Sequence, residues 1–311
     1  MVAAIYLLTL LVNILTPDHP ARAGESKYVF NLFLGCVASA AIFFAVVSKF
    51  KKFSPQRFSS LTEVIAIVGL VFLFWLVGLS KLDLMDGLRF PSPNLVFDVY
   101  KRDERLLLLW SVPESLGRLT QGYLLAVAIA IPAGLVCGRY KFLLDRTYPV
   151  AKILAPIPPI LFVPYALDAL PTLTAGTLFV IFMGAFWPIF INTMYGVFSL
   201  DPELVEAART LGVTERRLFA KVLFPAALPS IYAGLFLGLI LSFIVLMVAE
   251  SIGGDYTQPG LGWYIDYFGD MFDYPRVVAG ILVIALIVIV WMGVSDYIQR
   301  RLLRWQSPTG V

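Results

Sequence analysis

Seven stretches of this chain are long and apolar enough to cross a bilayer: roughly 28–48, 62–80, 115–137, 148–168, 174–199, 226–249 and 277–297. A helix needs about 20 mostly apolar residues to traverse about 30 Å of hydrocarbon. Unpaired backbone groups are so costly in lipid that only helices and closed barrels span it. Repeated runs of this length therefore predict an all-α polytopic membrane protein. Composition agrees. The 311 residues are 59% hydrophobic and 14% charged, against about 45–50% and about 25% in an ordinary soluble domain. The formal charge of +3 offers no bulk attraction to nucleic acid.

An eighth apolar stretch, Val2–Leu15, is short. It reads either as an N-terminal membrane helix or as the apolar part of a signal peptide ending at Ala21-Arg22-Ala23. No Lys or Arg precedes it, which weighs against the signal peptide. Cys36 and Cys137 lie within apolar runs and read as small core residues rather than a disulfide. His19, beside Pro20, reads as a solvated loop residue.

Orientation follows from where basic residues collect. One set of flanks carries Lys49, Lys51, Lys52 and Arg57, then Arg139, Lys141, Arg146 and Lys152. It continues with Arg209, Arg216, Arg217 and Lys221 and ends with Arg300, Arg301 and Arg304, which makes 15 of the 24 basic residues. Seven spans starting outside place all four groups on one side, which is then the cytoplasm. The opposite flanks hold Asp255, Asp266, Asp270 and Asp273. There Trp263, Tyr264, Tyr267 and Phe268 read as an interfacial aromatic belt.

The cytoplasmic side includes an unusual loop at 201–225. Asp201 is a good N-cap, and Pro202 at the first helical position loses no needed hydrogen bond. Leu204, Ala207, Ala208 and Leu211 recur at i, i+3, i+4, i+7 and predict one apolar stripe. Gly212 stands where this helix must stop, in the left-handed conformation that glycine adopts without cost. Thr214 can cap a second helix, whose Leu218, Phe219, Val222 and Leu223 continue the apolar face. Pro225 and Pro229 mark re-entry into the membrane. Glu203, Glu206, Arg209, Glu215, Arg216 and Arg217 form the polar face. A lone interfacial hairpin is the simpler reading. Two helices capped, broken and re-entered at this spacing argue instead for a socket that a soluble partner fills.

Two features bear on a path through the membrane. Pro156, Pro158, Pro159 and Pro164 fall inside the 148–168 span, where each removes a backbone donor. This is either a buried kinked helix or a helix beside a translocation path. Pro188, Asn192 and Thr193 lie within the apolar 174–199 run. The two polar groups either hydrogen-bond between helices or line a pathway.

The loop resembles the "EAA" loop of bacterial ATP-binding-cassette (ABC) importer permeases, through Glu206-Ala207-Ala208, Gly212 and Val222-x-Phe224-Pro225. The family's usual Ile-x-Leu-Pro ending stands here as Val222-Leu223-Phe224-Pro225. More of the chain resembles the branch that handles nitrate, sulfonates and taurine. Phe90-Pro91-Ser92-Pro93-Asn94 is similar to its Leu-Pro-Ser-Pro segment. Phe186-Trp187-Pro188-Ile189-Phe190-Ile191-Asn192-Thr193 is similar to its Phe-Pro-Ile-x-x-Asn-Thr helix. Ala249-Glu250 with Gly260-Leu261-Gly262 is similar to its Ala-Glu…Gly-Leu-Gly segment. The branch's Trp-Phe-Gly-like turn is replaced here by Ala166-Leu167-Asp168-Ala169-Leu170-Pro171.

The resemblance implies a six-span permease core over 59–300, with one or two extra N-terminal helices in 1–58 and a cytoplasmic tail at 301–311. It implies a coupling site for a separate ABC ATPase, two copies per transporter, made by Glu206, Ala207, Ala208, Leu211, Gly212, Arg216 and Pro225. It also implies a second permease copy, a homodimer, with Pro159, Pro188, Asn192 and Thr193 as candidate path residues. An extracytoplasmic substrate-binding protein would dock on the 250–276 side. ATP and Mg would bind the partner ATPase, and this chain would hold no cofactor or metal. The implied location is the bacterial inner membrane.

Other classes fit the sequence less well. Ion-coupled secondary carriers commonly place ionisable residues near the bilayer centre. Here Glu63, Glu114, Arg118, Asp168 and Glu250 stand at predicted span ends. No zinc-protease helix motif, nucleophile elbow or phosphate-binding loop is present.

Overall fold

The computed structural model describes residues 2–20, 25–50, 66–85, 89–102 and 107–303. The 21–23 segment, Lys51, Lys52, Arg57, Glu63, the 58/59 boundary and the tail from Arg304 lie outside the described residues. The described chain is helical throughout. Its contacts divide it into two compact units, Met1–Leu107 with Ile265–Val283, and Leu108–Tyr264 with Ile284–Val311.

The first unit contains α1 (Val2–Leu15), α2 (Tyr28–Phe50), α3 (Ala66–Lys81) and α4 (Pro93–Arg102). Phe30, Leu34, Phe72, Leu76 and Phe97 form its core, with the Phe30 and Phe97 rings 5.0 Å apart. Several polar groups inside it are paired across the helices, as burial favours. The Asn13 amide donates to Asn31 and to Asn94, at 2.7 and 3.0 Å. Asp18 binds both Lys27 and Lys81. The Trp75 indole donates to the Pro91 carbonyl at 3.0 Å. The α1–α2 hairpin is thus stitched to the Pro91-Ser92-Pro93-Asn94 segment. Cys36 is exposed on α2 rather than in the core, and both cysteines are free thiols. His19 lies in the exposed loop, 3.6 Å from Asp83.

The second unit is built on α5 (Leu107–Arg139), α8 (Leu173–Phe198) and α11 (Phe224–Gly253), with much of α13 (Tyr274–Leu302). Small residues let the backbones approach, the usual device where water supplies no drive between helices. A Cβ on Gly234 of α11 would strike Asn192 and the Pro188 carbonyl of α8, and one on Gly138 of α5 would strike the Met194 carbonyl.

Among the described residues four helices are long and apolar enough to cross a membrane: α5, α8, α13 and the run Glu215–Gly253. The sequence's 148–168 span is not one straight helix. α6 (Lys141–Leu154) and α7 (Val163–Ala169) are joined by a short turn at Pro159–Phe162, and the chain bends by 75° there. The proline cluster explains the bend, because consecutive missing donors leave no ladder to continue the helix. Counted as one broken span, the pair raises the number to five. Val2–Leu15, Tyr28–Ile42 and Ala66–Lys81 are shorter apolar helices.

Candidate functional site

The 201–225 loop folds largely as its local signals dictate. The Asp201 carboxylate accepts from the Glu203 amide at 2.9 Å and caps α9 (Pro202–Thr210). The helix closes with the Gly212 amide on the Arg209 carbonyl and the Val213 amide on Ala208. Gly212 has φ +71°, the left-handed conformation expected of it. Thr214 occupies the N-cap position of α10 (Glu215–Leu218), but its side chain makes no capping bond.

Two expectations about this loop need correction. The predicted apolar stripe does not act as one surface. Val205, Ala208, Leu218 and Leu223 pack with Val197, Ala227 and Ile231. Leu204 and Ala207 are instead exposed, and Leu211 is 82% exposed. Ala208 and Val205, three apart, suffice to anchor a nine-residue helix, and that rotates the rest of the stripe outward. Second, Pro225 does not separate a hairpin helix from a membrane helix. Glu215 to Gly253 is one run of 39 residues, carried past the proline by a widened turn at Phe219–Leu223. There the Phe224 amide reaches back five residues to Phe219. A wider turn relieves the clash a proline ring makes with the carbonyl four residues earlier.

Of the candidate coupling residues, Glu206, Ala207, Leu211, Gly212 and Arg216 are exposed together on the loop. Ala208 is buried beneath them and Pro225 is half-buried at the helix entrance. Arg209 binds Glu215 at 3.0 Å across the turn, tying the two arms.

The candidate path residues are dispersed. Pro159 opens the turn between α6 and α7. Pro188 lies inside α8, and its carbonyl accepts from the Asn192 amide at 2.8 Å. Thr193 donates to the Ile189 carbonyl at 2.7 Å. It is wholly buried against the position of Gly134 on α5. Both polar groups thus bond within their own helix.

The opposite end of the second unit holds a constellation that sequence reading did not assemble. Arg118 of α5 and Glu250 of α11 form a buried ion pair at 2.9 Å. The Ser115 hydroxyl lies 2.9 and 2.7 Å from the two Glu250 oxygens, and the Gly262 amide donates to Oε2 at 3.1 Å. Ser115 also accepts from the Leu261 amide at 2.8 Å, and Arg118 donates to the Gln258 carbonyl at 3.1 Å. Leu261 begins α12 (Leu261–Asp270). The carboxylate therefore faces the positive end of that helix as well as a guanidinium. Each charge was visible as an ionisable residue at a span end, but nothing local showed that they meet.

The loop between α11 and α12 is braced from outside too. Asp255 accepts from the Thr257 hydroxyl and amide and from the Gln258 amide. These bonds, Thr257's hydroxyl foremost, hold its carboxyl below the usual carboxylate range. The proposed aromatic belt here is corrected: Trp263, Tyr264 and Phe268 are buried, Tyr264 completely. Trp263 packs on Tyr256 with centroids 4.9 Å apart. These rings fill protein interior rather than a headgroup layer.

Residues 130–304 match the profile of the family described as "Binding-protein-dependent transport system inner membrane component". A Brucella abortus protein named "Probable ABC transporter permease protein" is 31% identical over 221 residues, 70% of this chain and 86% of the relative. The nitrate import permease protein NrtB of Synechocystis is 36% identical over 151 residues, 49% of this chain and 54% of that protein. The bicarbonate transport system permease protein CmpB of the same organism is 28% identical over 227 residues, 69% of this chain and 79% of that protein. In structure, the chain is similar to one from the inward-facing MetNI methionine ABC transporter. The TM-score is 0.56 at 20% identity, covering 64% of this chain and 98% of that one.

Proposed function

The chain belongs to the binding-protein-dependent transport system inner membrane component family, and from that premise we propose how this ABC permease subunit of the inner membrane is driven and what it carries. ATP hydrolysis belongs to a separate ATPase chain that docks on the 201–225 loop, and ATP and Mg bind there rather than here. The exposed, capped loop carries this reading. Leu211 is 82% exposed although its neighbours Ala208 and Val213 are tucked in. Burying a leucine side chain is worth about 1.5–3 kcal/mol, so a protein groove over Leu211 is a strong anchor. Glu206 and Arg216 would then form its polar rim.

Two permease copies enclose the path, with Pro159, Pro188, Asn192 and Thr193 nearest it, and an extracytoplasmic binding protein delivers cargo on the 250–276 side. Residues 1–58 are an addition to the core of 59–300, followed by the tail of 301–311. The cargo is a small oxyanion, a reading supported by the nitrate and bicarbonate relatives.

The test is affinity purification of the tagged chain from native membranes beside Glu206→Ala and Gly212→Asp variants. An ATPase that accompanies the wild type and is weakened or lost in the variants supports the reading. A chain recovered alone in every case sinks it. Uptake of labelled nitrate and bicarbonate then separates the two cargoes.

A further inference from the structure

The Glu215–Gly253 run joins the two constellations described above. One helix of 39 residues carries the loop at its start and Glu250 near its end. At 1.5 Å per residue, Glu215 and Glu250 are about 52 Å apart, more than the about 30 Å of hydrocarbon. If the loop lies at the cytoplasmic face, Glu250 lies at the other. We infer that the Arg118–Glu250 pair is the far end of the coupling device, passing movement of the cytoplasmic loop to the extracytoplasmic 254–260 loop and the start of α12. This rests on the docking reading above.

Three observations support it. First, the two ends belong to one uninterrupted helical run, Glu215–Gly253, in which a widened turn at Phe219–Leu223 leads into Pro225. Second, the carboxylate is gripped by three groups, Arg118 and Ser115 of α5 and the Gly262 amide, and Arg118 is itself tied to the Gln258 carbonyl. Gln258 is held in turn by the Thr174 hydroxyl near the start of α8, at 3.1 Å. Third, the loop closes on Glu250 without slack. A Cβ on Gly260 would fall within the Glu250 carboxylate, and one on Gly262 within the Met247 carbonyl. A shift of this end of α11 must therefore carry the loop with it or break the pair.

Burial alone does not explain the pair. Replacing a buried ion pair by apolar groups is often neutral or stabilising, so what this pair offers beyond stability is the arrangement it specifies. Here that arrangement joins α5, α11 and α12 at one carboxylate. Glu250 and Arg118 are positioning residues. They touch neither the docking surface nor the candidate path residues.

The experiment uses the assembled transporter in vesicles. A nitroxide is placed at Tyr256→Cys in a Cys36→Ala, Cys137→Ala background, and ATP hydrolysed is compared with substrate carried. Wild type is set beside Glu250→Gln, which keeps the shape and loses the charge, and beside the double variant Arg118→Met, Glu250→Gln. In wild type the loop label should respond to ATP. In both variants the ATPase should still co-purify, the label response should vanish, and transport per ATP should fall about tenfold or more, within the range of ordinary coupling energies. A label that responds as in wild type, with unchanged transport per ATP, overturns the inference. So does loss of insertion or of ATPase capture in both variants, which would make the pair a folding element. If wild type itself captures no ATPase, the docking reading fails first and the inference falls with it.

Discussion

At one end of the Glu215–Gly253 helix Glu215 binds Arg209 at 3.0 Å, and at the other Glu250 binds Arg118 at 2.9 Å. The first pair is about half exposed on both sides, whereas the second is 6% and 1% exposed. In water a pair like Arg209–Glu215 is worth about 0.2–1 kcal/mol. Its use is to hold the two arms of the loop in register while leaving their surface free. The buried pair faces the reverse situation. Its charges have lost most of their water, so Glu250 depends on Arg118 and on the Ser115 and Gly262 bonds, and Arg118 on Glu250 and the Gln258 carbonyl. One end of the helix leaves its charges and surface in solvent, and the other is held together from within.

Removing one buried partner should cost the most. Glu250→Leu removes the buried partner of Arg118, leaving it only the exposed Glu114 at 3.7 Å and the Gln258 carbonyl, and strands the Gly262 amide. It should destabilise the protein by about 3–5 kcal/mol, read as a large drop in thermal stability in detergent. The double variant Arg118→Met, Glu250→Leu should recover much of that loss. If the single variant is as stable as wild type, the pair is not buried as described.

The exposed end should behave differently. Leu211→Asp removes the anchor without touching the Val205–Ala208 packing, so insertion and stability should stay close to wild type. Affinity for the ATPase should fall by about 2 kcal/mol, or roughly 30-fold, measured by titrating purified ATPase against the permease in detergent. Equal loss of stability and affinity would mean that Leu211 belongs to the fold. Gly212→Ala should do less. A Cβ there meets nothing within 4 Å, so only the left-handed backbone is penalised, by about 1–2 kcal/mol. The same titration should show a modest weakening.

These two ends also differ in how far the sequence revealed them. The loop was legible because its signals are local: a capping Asp201, Pro202 at the first turn and Gly212 at the stop all lie within 12 residues of one another. The 148–168 break was equally legible from its prolines. The buried pair was not, because Arg118 and Glu250 are 132 residues apart and only packing of α5 on α11 brings them together. The 250–276 aromatics misled for a related reason. Their composition suits an interface, and burial depends on neighbours that no local pattern names. Pro225 misled in the other direction, since a widened turn can carry a helix past a residue that usually ends it.

A weaker dependence, on pH, lies just outside the buried pair. Asp255 braces the 254–260 loop by accepting from Thr257 and Gln258, and those bonds lower its carboxyl pKa. A carboxyl whose folded pKa is depressed stabilises the fold above its unfolded value, about 3.9. That contribution is lost as pH falls through the lower, folded value. Because Asp255 is fully exposed, water competes for the same bonds and the effect is small. It should appear as faster hydrogen exchange at the Thr257 and Gln258 amides at acid pH, corrected for intrinsic exchange. Asp255→Ala should show that faster exchange already at neutral pH. The Leu261 and Gly262 amides, held by Ser115 and Glu250, should stay protected throughout. If all four amides open together, the loop is a single unit braced by Asp255, and the contrast between a solvated outer tie and a buried inner one fails.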